Sequence, residues 1–130
     1  MTVEEFVKNF YKERTQAIES SFDFERDLRS YVSTKIQDLN LDEEHTEKLR
    51  HIISALLTDT FYRILLGLDG SASIGDRQEI FRIAGEDGNV ISECGEIEGE
   101  AYEVFCANRL ECEDNNCDFI ACLKDRKSVV

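Results

Sequence analysis

The sequence predicts a single α+β domain over residues 1–130: a three-helix N-terminal body with a long central helix, followed by one or two β-hairpins and a fourth helix. Three observations predict it. Residues 42–70 carry the longest helical period in the chain, residues 69–76 break it with small and polar residues, and the runs beyond are strand-length and separated by Gly85-Glu86-Asp87-Gly88. A 3.6-residue period that gives way to short β-branched runs is the signature of helices followed by hairpins.

Taken in order, Thr2 and Glu5 form a capping box, and Val3, Phe6, Val7, Phe10, Tyr11, Ala17 and Ile18 continue one face of a first helix over residues 3–20. Ser20-Ser21-Phe22-Asp23 breaks it, and Asp23 is placed to cap a second helix that turns Phe24, Leu28, Tyr31, Val32, Ile36 and Leu39 inward. Asn40-Leu41-Asp42 leads into the central helix. Its apolar residues are Leu49, Ile52, Ile53, Leu56, Leu57, Phe61, Ile64, Leu65 and Leu68, with Glu43 and Glu44 at the positive end of the dipole. Gly67 and Gly70 supply its left-handed stop. Residues 79–84 and 89–92 read as strands of a hairpin, with Asp87-Gly88 suited to a type I′ turn. Residues 96–109 return to helical spacing through Ile97, Ala101, Val104 and Phe105, and residues 110–123 form a second hairpin around Glu113-Asp114-Asn115-Asn116.

The charge balance limits function. With a formal net charge of -13 and a pI near 4.5, the chain repels nucleic acid and anionic lipid and attracts a basic protein. It lacks 18 consecutive apolar residues, and Met1-Thr2-Val3-Glu4-Glu5 has no basic, apolar secretory pattern, so a cytoplasmic protein is expected. Five cysteines fit a reducing compartment.

The candidate partner-binding residues are Glu86, Asp87, Glu93, Glu96, Glu98, Glu100, Glu103, Glu111, Glu113 and Asp114. With Asp118 they make eleven carboxylates against one base, Arg109, between residues 86 and 118. Such clustering suits capture of a cationic surface, and a merely solvated surface is the plain alternative. Cys106, Cys112, Cys117 and Cys122 have five, four and four residues between them, which departs from the paired CxxC of a zinc knuckle, so buried thiols are expected and no metal or other cofactor. Asp69-Gly70-Ser71-Ala72-Ser73 opens like a calcium loop, but Ile74 and Ile80 occupy its sixth and twelfth positions. A structural loop over the end of the central helix accounts for it better. His45 and His51 fall on different helical faces, and Asp59 and Tyr62 are expected to join Asp69 or Gln78 in a structural polar cluster.

Leu65-Leu66-Gly67-Leu68-Asp69-Gly70, Gln78, Glu86-Asp87-Gly88-Asn89 and Gly95-Glu96-Ile97-Glu98 resemble the layout of small acidic bacterial immunity proteins, which are encoded beside secreted toxins in contact-dependent inhibition and related systems. The resemblance implies a non-enzymatic, stoichiometric inhibitor that occludes a basic toxin domain, a nuclease above all. The alternative is a metal-binding or redox-responsive regulator using the C-terminal cysteines.

Overall fold

The computed structural model describes residues 1–107. Helix α1 (Val3–Ser21) begins at the expected capping box: Glu5 N–H donates to Thr2 Oγ1 at 3.1 Å while Thr2 N–H donates to Glu5 Oε1 at 3.2 Å. Helix α2 (Tyr31–Asp38) starts later than its apolar pattern suggests. Ser30 is its cap, accepting from Ser33 N–H at 3.0 Å, whereas Asp23 spends its carboxylate on Glu25 N–H and on Arg26. Residues 22–30 therefore form an irregular connection, hooked onto α2 by the buried Ser33 hydroxyl, which donates to Asp23 O at 2.8 Å. Leu28, expected to face inward, is 92% exposed. Asn40 closes α2 with φ 53°, a conformation that asparagine tolerates better than most residues.

Helix α3 (Glu43–Leu68) is the central helix. Asp42 Oδ1 accepts from His45 N–H at 2.8 Å at its start. Its end is a Schellman turn: Gly70 N–H donates to Gly67 O and Ser71 N–H to Leu66 O, both at 3.1 Å, with Gly70 at φ +83°. Gly70 thus supplies the left-handed stop, and Gly67 lies inside the helix.

Strands β1 (Ile83–Ala84) and β2 (Val90–Ser92) pair antiparallel, Ile83 opposite Ser92 and Ala84 opposite Val90, with a bulge at Ile91. The turn differs from type I′. Gly88 alone takes positive φ, Gly88 N–H donates to Gly85 O, and Gly85 N–H to Asn89 O, each at 3.0 Å. This is the longer hairpin loop that ends on a left-handed glycine. Helix α4 (Ile97–Ala101) runs directly into a π-helical turn, Tyr102–Ala107.

The main core joins one end of α1 to the C-terminal half of α3 and to α4. Val7, Tyr62, Leu65, Ile97, Ala101, Val104, Phe105 and Cys106 are buried there. Phe105 meets the Tyr11 ring edge-on at 5.3 Å between centroids, and Phe10 meets Phe61 likewise at 6.2 Å. A polar tie adds to the α1–α3 contact, since Arg14 Nη1 donates to Thr58 Oγ1 at 2.8 Å. By length and composition α3 could cross a membrane, with 22% of its most apolar window buried. In this fold its C-terminal half is the core helix. The nine-residue stripe read from sequence is only partly used: Leu65 is buried, whereas Ile52, Leu56 and Ile64 are exposed.

Candidate partner-binding surface

The acidic segment is built on an anchoring point at the end of α3. Helix α4 has no cap of its own, because Glu96 makes no side-chain capping bond. The missing acceptor comes from 28 residues upstream: Asp69 Oδ1 accepts from Ile97 N–H at 2.7 Å, and Oδ2 from Glu98 N–H at 3.2 Å. Ser71 Oγ donates to the same carboxylate at 3.2 Å, and Gly95 N–H donates to the Asp69 backbone carbonyl at 3.2 Å. Asp69 is fully buried. A carboxylate facing the exposed amides of a helix start is electrostatically matched to the dipole, so this contact locks α4 onto α3. The oxygen-rich run that opens like a calcium loop thus supplies the cap of a helix 28 residues further along the same chain.

Gly70 lets the chain cross at this point. A Cβ there would lie 3.2 Å from Cys94 Sγ and 3.5 Å from Glu79 O and from Ile80 Cα. Gln78 also reaches it, donating from Nε2 to Gly70 O at 2.9 Å. The expected cluster of Asp59 and Tyr62 with Asp69 or Gln78 does not form, since Asp69 turns to α4 and Gln78 to the backbone. Tyr62 is buried, and burial pushes its phenol well above the ordinary tyrosine range, with Cys106, Glu98 and Tyr102 adding in the same direction.

The anchored unit presents the acids. Glu86 and Asp87 are exposed on the hairpin turn, Glu93 follows β2, and Glu96, Glu98 and Glu103 are exposed on α4 and its π-turn, with Glu100 half-buried. From Ile83 to Ala107 there are seven carboxylates and no lysine or arginine. Among the described residues, Glu93 alone of these forms an ion pair, with Arg82 at 3.5 Å. Asp87 is fixed within the turn by Asn89, whose backbone and side-chain N–H groups donate at 3.0 Å and hold its carboxyl below the usual range. Glu93 N–H donates to Glu96 Oε1 at 3.0 Å, joining the hairpin to α4. Lys8, paired with Glu4 at 2.7 Å, is near enough to Glu100 for the two charges to interact.

Glu111, Glu113, Asp114, the second hairpin, Cys112, Cys117 and Cys122 lie outside the described residues. Cys106 is buried and Cys94 exposed. Among the described residues no group of three or more His, Cys, Asp or Glu is placed to hold a metal ion. His45 sits 2.7 Å from Asp42 at the start of α3, and His51 is exposed six residues further on. Sequence reasoning singled out Asp69 but missed its role. The signal was the absence of Ser, Thr, Asp or Asn immediately before Ile97, which left α4 in need of a cap from elsewhere. Compared with protein-family models, curated proteins and solved structures, the chain matches none.

Proposed function

We propose that this chain is an immunity-type inhibitor that neutralises a basic toxin domain, a nuclease in the first instance, by covering its surface without chemistry of its own. One observation carries the reading: seven carboxylates and no base between Ile83 and Ala107, on a hairpin and helix pinned to the protein's longest helix by Asp69. A nuclease must line its site with Lys and Arg to hold phosphates, so an array of carboxylates on a fixed scaffold competes for the same cations. Charge complementarity of this kind raises the association rate and discriminates against acidic surfaces. Pre-anchoring α4 lowers the ordering cost of binding.

The experiment is co-production of the full chain with a candidate basic nuclease toxin domain, scored as cell survival and as association rate. The double variant Glu98→Lys, Glu103→Lys is expected to lose protection while its far-UV circular dichroism stays unchanged. Its association rate should fall by about tenfold or more at low salt, with the difference shrinking as salt is raised. Undiminished protection would remove the acidic unit from the interface.

A further inference from the structure

The outward side of α3 carries a feature that the acidic unit does not use. Ile52 is 64% exposed and Leu56 62% exposed, one turn apart. At about 100° per residue, Leu56 lies about half a turn from the core residue Leu65, so this stripe faces away from the side on which α4 packs. Arg63 continues the same stripe two turns beyond Leu56; it is exposed and forms no ion pair among the described residues. The spacing of four and seven is that of a helix–helix seam. In a chain of net charge -13, residues 49–58 contain no acid at all. Their one charged side chain, Arg50, is turned aside over the Phe22 ring at 5.4 Å.

We propose that this stripe is the contact of a twofold homodimer in which two α3 helices cross antiparallel, Ile52 of each copy against Leu56 of the other. The occupant is a second copy for two reasons. Strongly negative molecules approach each other with least repulsion where acids are missing, and the stripe is such a place. It is also self-complementary: an apolar centre has a cation, Arg63, at one end and the N-cap carboxylate of α3, Asp42, at the other. A twofold axis through the centre brings each Arg63 opposite the other copy's His45, whose ring lies 2.7 Å from Asp42 Oδ1. The contact lies on the far side of α3 from α4 and leaves the acidic unit free, so it stands or falls independently of the inhibitor reading.

Sedimentation equilibrium of the full chain tests it. A species of twice 14.9 kDa is expected. Ile52→Glu and Leu56→Glu should each give a monomer of unchanged helical content, because both side chains are exposed and neither supports the core. Arg63→Glu should weaken association about tenfold at low salt, since twofold symmetry applies each reversal twice. A chain that stays monomeric up to roughly 100 μM, well above the micromolar range of specific interfaces, overturns the proposal. So does a dimer indifferent to both glutamate substitutions, and an Arg63→Glu variant of unaltered affinity overturns the antiparallel arrangement.

Discussion

Asp69 is the side chain on which the relation between the helical body and the acidic unit turns. Asp69→Ala would leave the Ile97 and Glu98 amides without an acceptor inside the protein, at a cost of about 1–3 kcal/mol. Asp69→Asn keeps one acceptor oxygen and should recover part of that loss. Urea denaturation gives the totals, and faster amide exchange confined to Ile97 and Glu98 would show that the loss is at the cap. Tyr62 makes the opposite case. Its hydroxyl is buried with no hydrogen-bond partner among the described residues, so Tyr62→Phe removes an unsatisfied group while keeping the ring against Phe105. That variant should be more stable by about 1 kcal/mol. Since burial raises the phenol's pKa in the folded state, the neutral form stabilises the fold. That stabilisation is complete below the unfolded-state value, near 10, and is lost as pH rises beyond it. Ultraviolet titration should therefore find one tyrosine that ionises only as the chain unfolds.

Among the elements, those whose ends carry their own chemistry were legible in the sequence. Thr2 with Glu5 and Asp42 with Glu43 and Glu44 mark where α1 and α3 start, and Gly70 marks where α3 stops, because each signal acts within one turn of the boundary. The hairpin was legible for the same reason, though its turn type was not, since Asp87-Gly88 fits more than one loop. The start of α2 was misread because Asp23 and Ser30 are both good caps, and the choice is made by contacts distant in sequence, Ser33 with Asp23 among them. The apolar stripe of α3 overstated its burial: periodicity gives the faces of a helix but not how much of each face a neighbour covers. Glycine substitutions separate local from tertiary demands. Gly88→Ala meets no atom within 4 Å, so its cost is that of a left-handed alanine alone, about 1 kcal/mol. Gly70→Ala has the same backbone penalty and also puts its Cβ 3.2 Å from Cys94 Sγ, so it should lower the denaturation midpoint further. Equal losses would mean that the crossing at Gly70 is looser than its contacts indicate.

At the scale of the whole molecule, two electrostatic effects of opposite sign set the response to pH. The net charge of -13 repels itself, and protonation of carboxylates between neutrality and the pI near 4.5 relieves that repulsion, so stability should rise as pH falls from 7. The exposed carboxylates Asp42 and Asp87 pull the other way. The His45 backbone N–H holds Asp42 below its ordinary value, and the Asn89 backbone N–H does the same for Asp87. A carboxyl whose folded pKa is depressed contributes stability that is present above its unfolded value, about 3.9, and is lost as pH falls through the folded one. Differential scanning calorimetry across pH 3–8 should accordingly show a maximum on the acid side of neutrality, with a decline below about pH 4 as the start of α3 and the hairpin turn lose their carboxylates. Asp42→Asn and Asp87→Asn together should flatten that acid limb and leave the limb above pH 5 in place. Added salt should do the reverse, flattening the neutral limb by screening the repulsion while sparing contacts made at hydrogen-bond distance. A melting temperature that rises steadily from pH 3 to pH 8 would show that self-repulsion is too weak to matter, and with it the field on which capture of a basic partner depends.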